Sequence, residues 1–413
     1  MVWSRSLSYA LNRLNGFARS RIRLYPNNQT TARPGDIITL TLPNAIVDLS
    51  TFAMHFDVTT SAAGGTNPGV SLPKHIECLL DSCSVECAGV TVQQACPMQN
   101  EIFKILADYQ LQDKENLRSI LQNSLPIAPV ANNLQSGTFA ITNFLGLLNP
   151  GTTRPPVLDG GLLPETRVYF RLAPDTVLST TGAPTSTSYT LGNIYFTCDV
   201  LDLSDLYYDL CAQRLQNGGT ISVPFQQMAT FFGNTGGMNQ SLKWSLSTNC
   251  LNMIIGTFID STFNDRAYDT TTRTSHYFTR NATGLQGSQH FINSVSYPSW
   301  LAVPPDVFVQ TNTALGASVD TVSATDSGMI GGLGNGIANQ LQVWLGKYFL
   351  HAVRFDWPDS MDERILDGLS SRGSALQGIW NTQGTGTNVW PLLFALYTSE
   401  LQIGAGRSIN VVS

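Results

Sequence analysis

Four acids, Asp356, Asp359, Asp362 and Glu363, are the residues best placed by type and spacing for chemistry. Paired carboxylates can divide acid and nucleophile roles in glycoside hydrolysis. Three of the four, however, fall in the first turn of a helix predicted over 359–369, with Asp359 or Ser360 as its N-cap. Acids are favoured there by the helix dipole, so a structural role accounts for them. The glycine run 328–336 has the look of a phosphate cradle, but no parallel strand precedes it and a predicted strand, 340–346, follows it. It reads as a flexible loop. Trp300, Trp344, Trp357, Trp380 and Trp390 are too dispersed for a sugar platform and read as core and interface anchors. The five histidines, His55, His75, His276, His290 and His351, are scattered on strand candidates without H-x-H or H-x-x-x-H spacing. His55 lies between Met54 and Phe56 and so faces away from them. No nucleophile elbow or P-loop occurs. The run Cys78-x4-Cys83-x3-Cys87-x8-Cys96 lacks the C-x2-C pairs of zinc sites. Together with Cys198, Cys211 and Cys250 it reads as a set of free thiols from a reducing compartment. The expectation is a protein without catalytic residues, metal, cofactor or small-molecule substrate.

The elements that carry these residues are overwhelmingly β. Phe52, Met54, Phe56 and Val58 alternate with smaller or polar residues within 48–59, the two-residue period of a strand with one buried face. A second apolar block, 241–247 and 251–259, stands in the same relation to the second half. Each follows a shorter strand candidate, 37–42 or 220–225, so one all-β design is used twice. Further strands are predicted at 75–80, 84–94 (with a hairpin turn at Cys87-Ala-Gly89), 137–142, 167–172 and 192–200. Those of the second half fall at 275–279, 290–296, 306–310, 340–346, 348–355 and 390–398. One helix, 98–110, interrupts the first set and extends into 113–122; another is expected over 201–217, where acids come early, Arg214 late and glycines last. Loops at 261–274, 311–338 and 371–389 are rich in Thr, Gly and Ser. The apolar tail after Ile403 is expected to pack under a partner or the first barrel.

At 413 residues the chain can bury two ordinary cores. Only 13% of residues are charged, about half the usual share for a soluble protein. So few charges point to a surface covered by further copies of the chain. Net charge is −6, yet residues 1–35 carry six arginines and no acid. Within 1–23, Trp3, Leu7, Ala10, Leu11, Leu14 and Phe17 recur at helical steps, with Arg5, Arg13 and Arg19 off that stripe and Arg21 and Arg23 following. A basic amphipathic helix of this kind suits a membrane surface, nucleic-acid phosphates, a neighbouring subunit, an organelle transit peptide or simple capping of the first barrel. No apolar h-region follows the first basic residues and no 18-residue apolar span occurs. The sequons at Asn28, Asn239 and Asn281 therefore read as chance.

These features resemble a known family. The likeness is carried by Phe52-Ala-Met-His-Phe-Asp57, by Cys87-Ala-Gly-Val-Thr-Val-Gln-Gln94 with Asn100-Glu-Ile-Phe-Lys-Ile-Leu106, by Trp244-Ser-Leu-Ser-Thr248 running to Gly256-Thr-Phe258, and by His290-Phe-Ile-Asn293 before Pro298. With two β domains and a basic arm, the chain resembles the double jelly-roll major capsid proteins of the adenovirus-hexon lineage of double-stranded DNA viruses, especially those of Polinton-like viruses and virophages. The likeness spans most of the chain and rests on pattern more than on an invariant motif. It implies an all-β fold of two consecutive eight-stranded jelly-roll barrels with short helical excursions and an N-terminal amphipathic helix. The implied divisions are an arm (1–23), a first barrel (24–200), a linker (201–219) and a second barrel (220–413). It also implies a homotrimer whose six barrels make a pseudo-hexagonal capsomer of an icosahedral shell around double-stranded DNA. Penton and minor capsid proteins would be partners, and the arm residues Trp3, Arg5, Leu7, Leu11, Arg13, Leu14, Phe17, Arg19, Arg21 and Arg23 would face an inner membrane or the genome. The location would be the virion, with synthesis inside the host cell and no secretion signal. Two other readings stand beside it: a single-jelly-roll capsid protein of a small single-stranded virus with a projecting second half, and a carbohydrate-binding or carbohydrate-cleaving β-protein.

Overall fold

The computed structural model describes residues 18–110, 128–153, 155–203, 205–234, 236–269, 274–316, 340–356, 368–372, 378–384 and 388–413. The first half carries β1 (Ala18–Leu24), β2 (Ile37–Thr41), β3 (Ile46–Ala63), β4 (Leu80–Cys87), β5 (Val90–Gln93), β6 (Ser136–Ile141), β7 (Thr166–Leu172) and β8 (Ser186–Asp202). The second half carries β9 (Ile221–Phe232), β10 (Ser241–Trp244), β11 (Leu251–Asp260), β12 (Leu285–Ile292), β13 (Val295–Ala302), β14 (His351–Arg354), β15 (Gly378–Gly384) and β16 (Val389–Ile403). Short pairs such as Gly69–Ser71 with Ser179–Thr181 trim the loops.

The pairing order demonstrates the doubling. In the first half one sheet runs β1-β8-β3-β6 and the other β2-β7-β4-β5; in the second they run β9-β16-β11-β14 and β10-β15-β12-β13. Adding eight to every label of the first half yields the second. In each half a short fifth strand, Val157–Asp159 or Ile409–Val412, is added to the first sheet named. Two antiparallel sheets with this interleaved four-strand order make a jelly roll, so the chain is a double jelly roll. The second half is a complete barrel, which removes the single-barrel reading with a projecting domain.

Local chemistry explains the strands. In β3, Phe52, Met54, Phe56 and Val58 are buried while His55 and Asp57 alternate outward. The first core stacks Phe52 on Phe196 and Phe196 on Phe170, with ring centroids 5.8 and 5.3 Å apart. The second core is built on Trp380, 4.9 Å from Phe258 and 5.8 Å from His290. Gly256 makes room for it: a Cβ there would lie 2.7 Å from the indole. The expected hairpin at Cys87-Ala-Gly89 forms, with φ of 48° at Ala88 and 85° at Gly89, the left-handed pair that matches strand twist. Its counterpart, Asn293-Ser294, joins β12 to β13 with φ of 50° and 70°.

Four helices complete the described residues used below: α1 (Gln99–Gln110), α2 (Asp205–Gln216), α3 (Pro304–Leu315) and α4 (Gln340–Lys347). The structure corrects several expectations. Residues 18–23 belong to strand β1, not to a helix continuous with 1–17, because Ile22 and Leu24 alternate inward against Arg19, Arg21 and Arg23. The predicted strand 306–310 is part of α3, where Pro at the helix start, Asp306 in the first turn and Gly316 as a left-handed C-cap outrank β-branched Val307 and Val309. The predicted strand 340–346 is α4, which buries Trp344 and Leu345. Residues 290–296 span two strands and their turn. The segment 275–279 is a short strand end and a 3-10 turn, and 75–80 opens as the 3-10 turn Ile76–Leu79. Strand β15 lies within the predicted loop 371–389. The tail folds back on its own sheet, Ile409–Val412 pairing with Glu400–Ile403 of β16, while Arg407 borders a cleft lined by Thr41, Pro43 and Glu165 of the first barrel. Of the helix expected over 359–369, residues 359–367 lie outside the described residues, and Leu369 forms an isolated bridge to Leu251 in place of a helical end; the extension over 113–122 and the glycine run 328–336 also lie outside the described residues.

Candidate assembly surfaces

Strand β1 sits at the edge of its sheet, antiparallel to β8 from Ala18↔Asp202 to Leu24↔Phe196. The two-residue period turns Ile22 and Leu24 toward the core and places Arg19, Arg21 and Arg23 together on the outer face. Arg19 donates through Nε to Asp199 at 2.5 Å and reaches Asp48 at 3.2 Å. Arg21 donates to Thr197 Oγ1 at 3.3 Å. The Arg23 guanidinium lies 4.1 Å from the centroid of the Tyr195 ring, on whose plane His55 stacks at 4.7 Å. Partial burial, with Arg21 and Arg23 nearby, holds the His55 imidazole below its ordinary range. Asp48 and Asp199 offset Arg19 and Arg21, the latter 3.9 Å from Asp199, so the face is a mixed ionic surface with Arg23 on its aromatic pair. Of the residues assigned to an inner arm, Arg19, Arg21 and Arg23 are thus on one face of β1; Trp3, Arg5, Leu7, Leu11, Arg13, Leu14 and Phe17 lie outside the described residues.

A second surface lies between the barrels. Helix α1 packs Ile102, Ile105 and Tyr109 into the apolar core and turns Glu101, Lys104 and Asp108 toward the second barrel, where Arg280 meets them. All four charged residues are at most 4% exposed. Arg280 Nε–H donates to Glu101 Oε1 at 2.7 Å and Nη2–H to Asp108 Oδ2 at 3.4 Å, while Lys104 donates to Asp108 Oδ1. Two cations face two anions, so the buried set is neutral overall. Burial would push the Asp108 carboxyl up, but Lys104, the neighbouring His75 ring and Arg280 hold it well below the carboxylate range. Burial pushes Glu101 up and Lys104 down, each opposed by its ionic partner. His75, 3.9 Å from Asp108, is pushed down to about 4 by burial and stays neutral. Around this centre, Tyr109 Oη accepts from Trp344 Nε1–H at 3.0 Å, Gln227 of β9 donates to the Val92 carbonyl at 2.9 Å and Thr230 to the Pro97 carbonyl at 2.8 Å. At the far end Arg266 pairs with Asp175 at 2.6 Å.

This seam was not singled out from sequence. The available clue was the spacing of Glu101, Lys104 and Asp108, which share one helix face alongside the apolar stripe; nothing in the sequence pointed to Arg280. The candidates for chemistry do not converge. Asp356 is held by Arg354 at 2.6 Å, and Asp359, Asp362 and Glu363 lie outside the described residues. Trp344 and Trp380 are buried, Trp390 is half-buried and Trp300 is exposed. All seven cysteines are free. Among the described residues no three His, Cys, Asp or Glu side chains gather as metal ligands, and no helix is long and apolar enough to cross a membrane.

No family model matches the chain, and no curated protein matches it in sequence. Solved structures do match along its whole length. A chain of the PBCV-1 virus capsid superposes with a TM-score of 0.60 at 13% identity, covering 100% of this chain and 98% of that one. The Faustovirus major capsid protein gives 0.59 at 8% identity, covering 96% and 90%. A chain of the Sputnik virophage gives 0.54 at 12% identity, covering 96% and 88%. At such identities the likeness is one of architecture, and it extends to both barrels: this chain has the double jelly-roll fold of these viral capsid proteins.

Proposed function

We propose that the chain is a major capsid protein, a non-enzymatic structural subunit that forms homotrimers and tiles an icosahedral shell around double-stranded DNA. The observation that carries this reading is the strand order repeated with an offset of eight, superposing end to end on capsid subunits. Two barrels joined rigidly by a sealed seam give a subunit two sides of a hexagon, and three subunits complete it. The scarcity of charge supports the reading, since a shell subunit covers much of its surface with copies of itself. On this reading the barrels divide at 24–200 and 220–413 around the linker 201–219. Residues 1–23 face an inner membrane or the genome, with Arg19, Arg21 and Arg23 offsetting negative charge at the barrel's base. Penton and minor capsid proteins are the further partners, and the virion is the location. The test is the mass of the purified protein by light scattering, followed by negative-stain imaging. Particles near three times 44.9 kDa, hexagonal plates or closed shells are expected; a chain that remains single at all concentrations overturns the proposal.

A further inference from the structure

Polar side chains cross the core of the second barrel and tie its two sheets together. His290 of β12 and His351 of β14 belong to opposite sheets, are both wholly buried and bring their rings to 4.3 Å. The Trp380 indole N–H donates to Ser288 Oγ at 2.7 Å, and the Ser288 hydroxyl donates to His351 Nδ1 at 2.7 Å. His351 Nε2–H then donates to Gln310 Oε1 of α3 at 3.3 Å. Beside it Thr311 donates to the Leu350 carbonyl and accepts from the Ala352 amide. His290 Nε2–H donates to the His351 carbonyl at 3.1 Å, and its Nδ1 is buried without a partner. Every one of these bonds requires neutral rings. A proton on His290 Nδ1 would have no acceptor, and one on His351 Nδ1 would meet the hydroxyl that donates to it. Two imidazolium rings this close would also repel. No carboxylate offsets them. Among the described residues, the other titratable side chains of the elements packed on the pair turn elsewhere: Asp260 of β11 to Asn281, Arg354 of β14 to Asp356, Tyr297 of β13 against Phe355, and Asp306 to the exposed first turn of α3. Burial pushes His290 down to about 3 and, with the neighbouring ring, holds His351 well below the ordinary imidazole range.

We propose that His290 and His351 form an acid-sensitive latch, in which proton uptake by the pair opens the second barrel between β12, β14 and α3 while the first barrel stays closed. The first barrel has no such pair. Its stacked core is Phe52, Phe196 and Phe170, His55 lies on its outer face and His75 in the seam. Well above pH 6.5 neither the closed nor the opened segment binds protons at these rings, and the latch is shut. As pH falls below 6.5 the opened segment takes up protons that the closed one refuses, so closure weakens. At pH 5.0, about 1.5 below the ordinary imidazole value, each released ring weakens closure roughly thirtyfold and the two together roughly thousandfold. The latch belongs to the barrel itself, goes beyond the capsid reading and needs no assembly to act.

The test is amide hydrogen–deuterium exchange of the full chain at pH 7.5 and 5.0, read by mass spectrometry with the intrinsic pH dependence of exchange divided out. Protection in 285–292, 304–315 and 350–354 is expected to fall roughly thousandfold. In 52–58 and 166–172 it should fall by at most about thirtyfold, the share of His75. His290→Gln, whose amide can still donate to the His351 carbonyl, should reduce the fall in the second barrel to roughly thirtyfold. A fall below about tenfold in the unaltered chain, a fall shared equally by the first barrel, or one that His290→Gln leaves unchanged overturns the proposal. Deuterium exchange at the imidazole C2 positions of the unaltered chain gives a readout free of substitution. Both rings should titrate below about pH 5 in the folded chain, and a midpoint near 6.5 for either overturns the latch. Mass and particle shape at neutral pH test the capsid reading separately, so either can fail without the other.

Discussion

Helices α1 and α3 occupy the same position in their barrels, yet their outward faces have diverged in chemistry. The face of α1 is ionic and dry: Glu101, Lys104 and Asp108 are sealed beneath Arg280. Aligned from the helix starts, the face of α3 keeps one acid, Asp306, but replaces the lysine with Val309 and the aspartate with Thr313, all exposed. Fold position therefore does not dictate surface chemistry; what covers the position does. Buried charges are tolerated when their partners are guaranteed, and an exposed face is better served by apolar residues that do not have to be desolvated as ions.

The sharpest way to break this contrast is Arg280→Met. It leaves the Glu101 and Asp108 carboxylates buried with Lys104 alone, and unfolding by urea should show a loss of about 3–5 kcal/mol. A loss below about 1 kcal/mol would mean that the seam is wetter than its geometry indicates. Next is pH. His75 has its folded value pushed down to about 4 against an ordinary 6.5, so as pH falls below 6.5 the unfolded chain takes up a proton that the folded chain, with His75 enclosed beside Asp108 and Lys104, refuses. Stability is thus full above 6.5 and declines toward 4. Between pH 7 and 5 the His75 contribution should be roughly 2 kcal/mol, and urea titrations of His75→Asn should lack that share. A slope unchanged by the substitution would place the pH sensitivity elsewhere. The smallest effect should come from Asp306→Asn on α3. In a single chain its melting curve should stay within about 0.5 kcal/mol of the parent, the opposite of what its counterpart Glu101 would show.

The first barrel was the more legible half. Phe52, Met54, Phe56 and Val58 follow strict alternation, and Cys87-Ala-Gly89 supplies its own turn, so period and punctuation agree. In the second half they compete. Val307, Phe308 and Val309 read as strand, yet Pro304, Pro305, Asp306 and Gly316 bracket a helix, and the brackets decide. Strand β1 was obscured because the helical spacing of Trp3 to Phe17 runs directly into Arg19, Arg21 and Arg23, whose two-residue alternation is short and polar. The seam could not be read at all from local pattern. Arg280 is a lone cation among threonines and asparagine, and its partners on α1 lie in the other barrel, brought near only by the completed fold.

The linker helix α2 gives the contrast between the two faces a concentration scale. Because it ties the barrels covalently, closing the seam is an intramolecular event, with an effective concentration on the order of millimolar for a short tether. Partners held that close can meet even when stripping four charged groups of water makes the encounter slow or weak. The α3 face has no tether, and any partner must be met at whatever concentration the chain reaches in solution. Cutting the chain within α2 would place the seam under the same mass-action law, and the two barrels would then part on dilution.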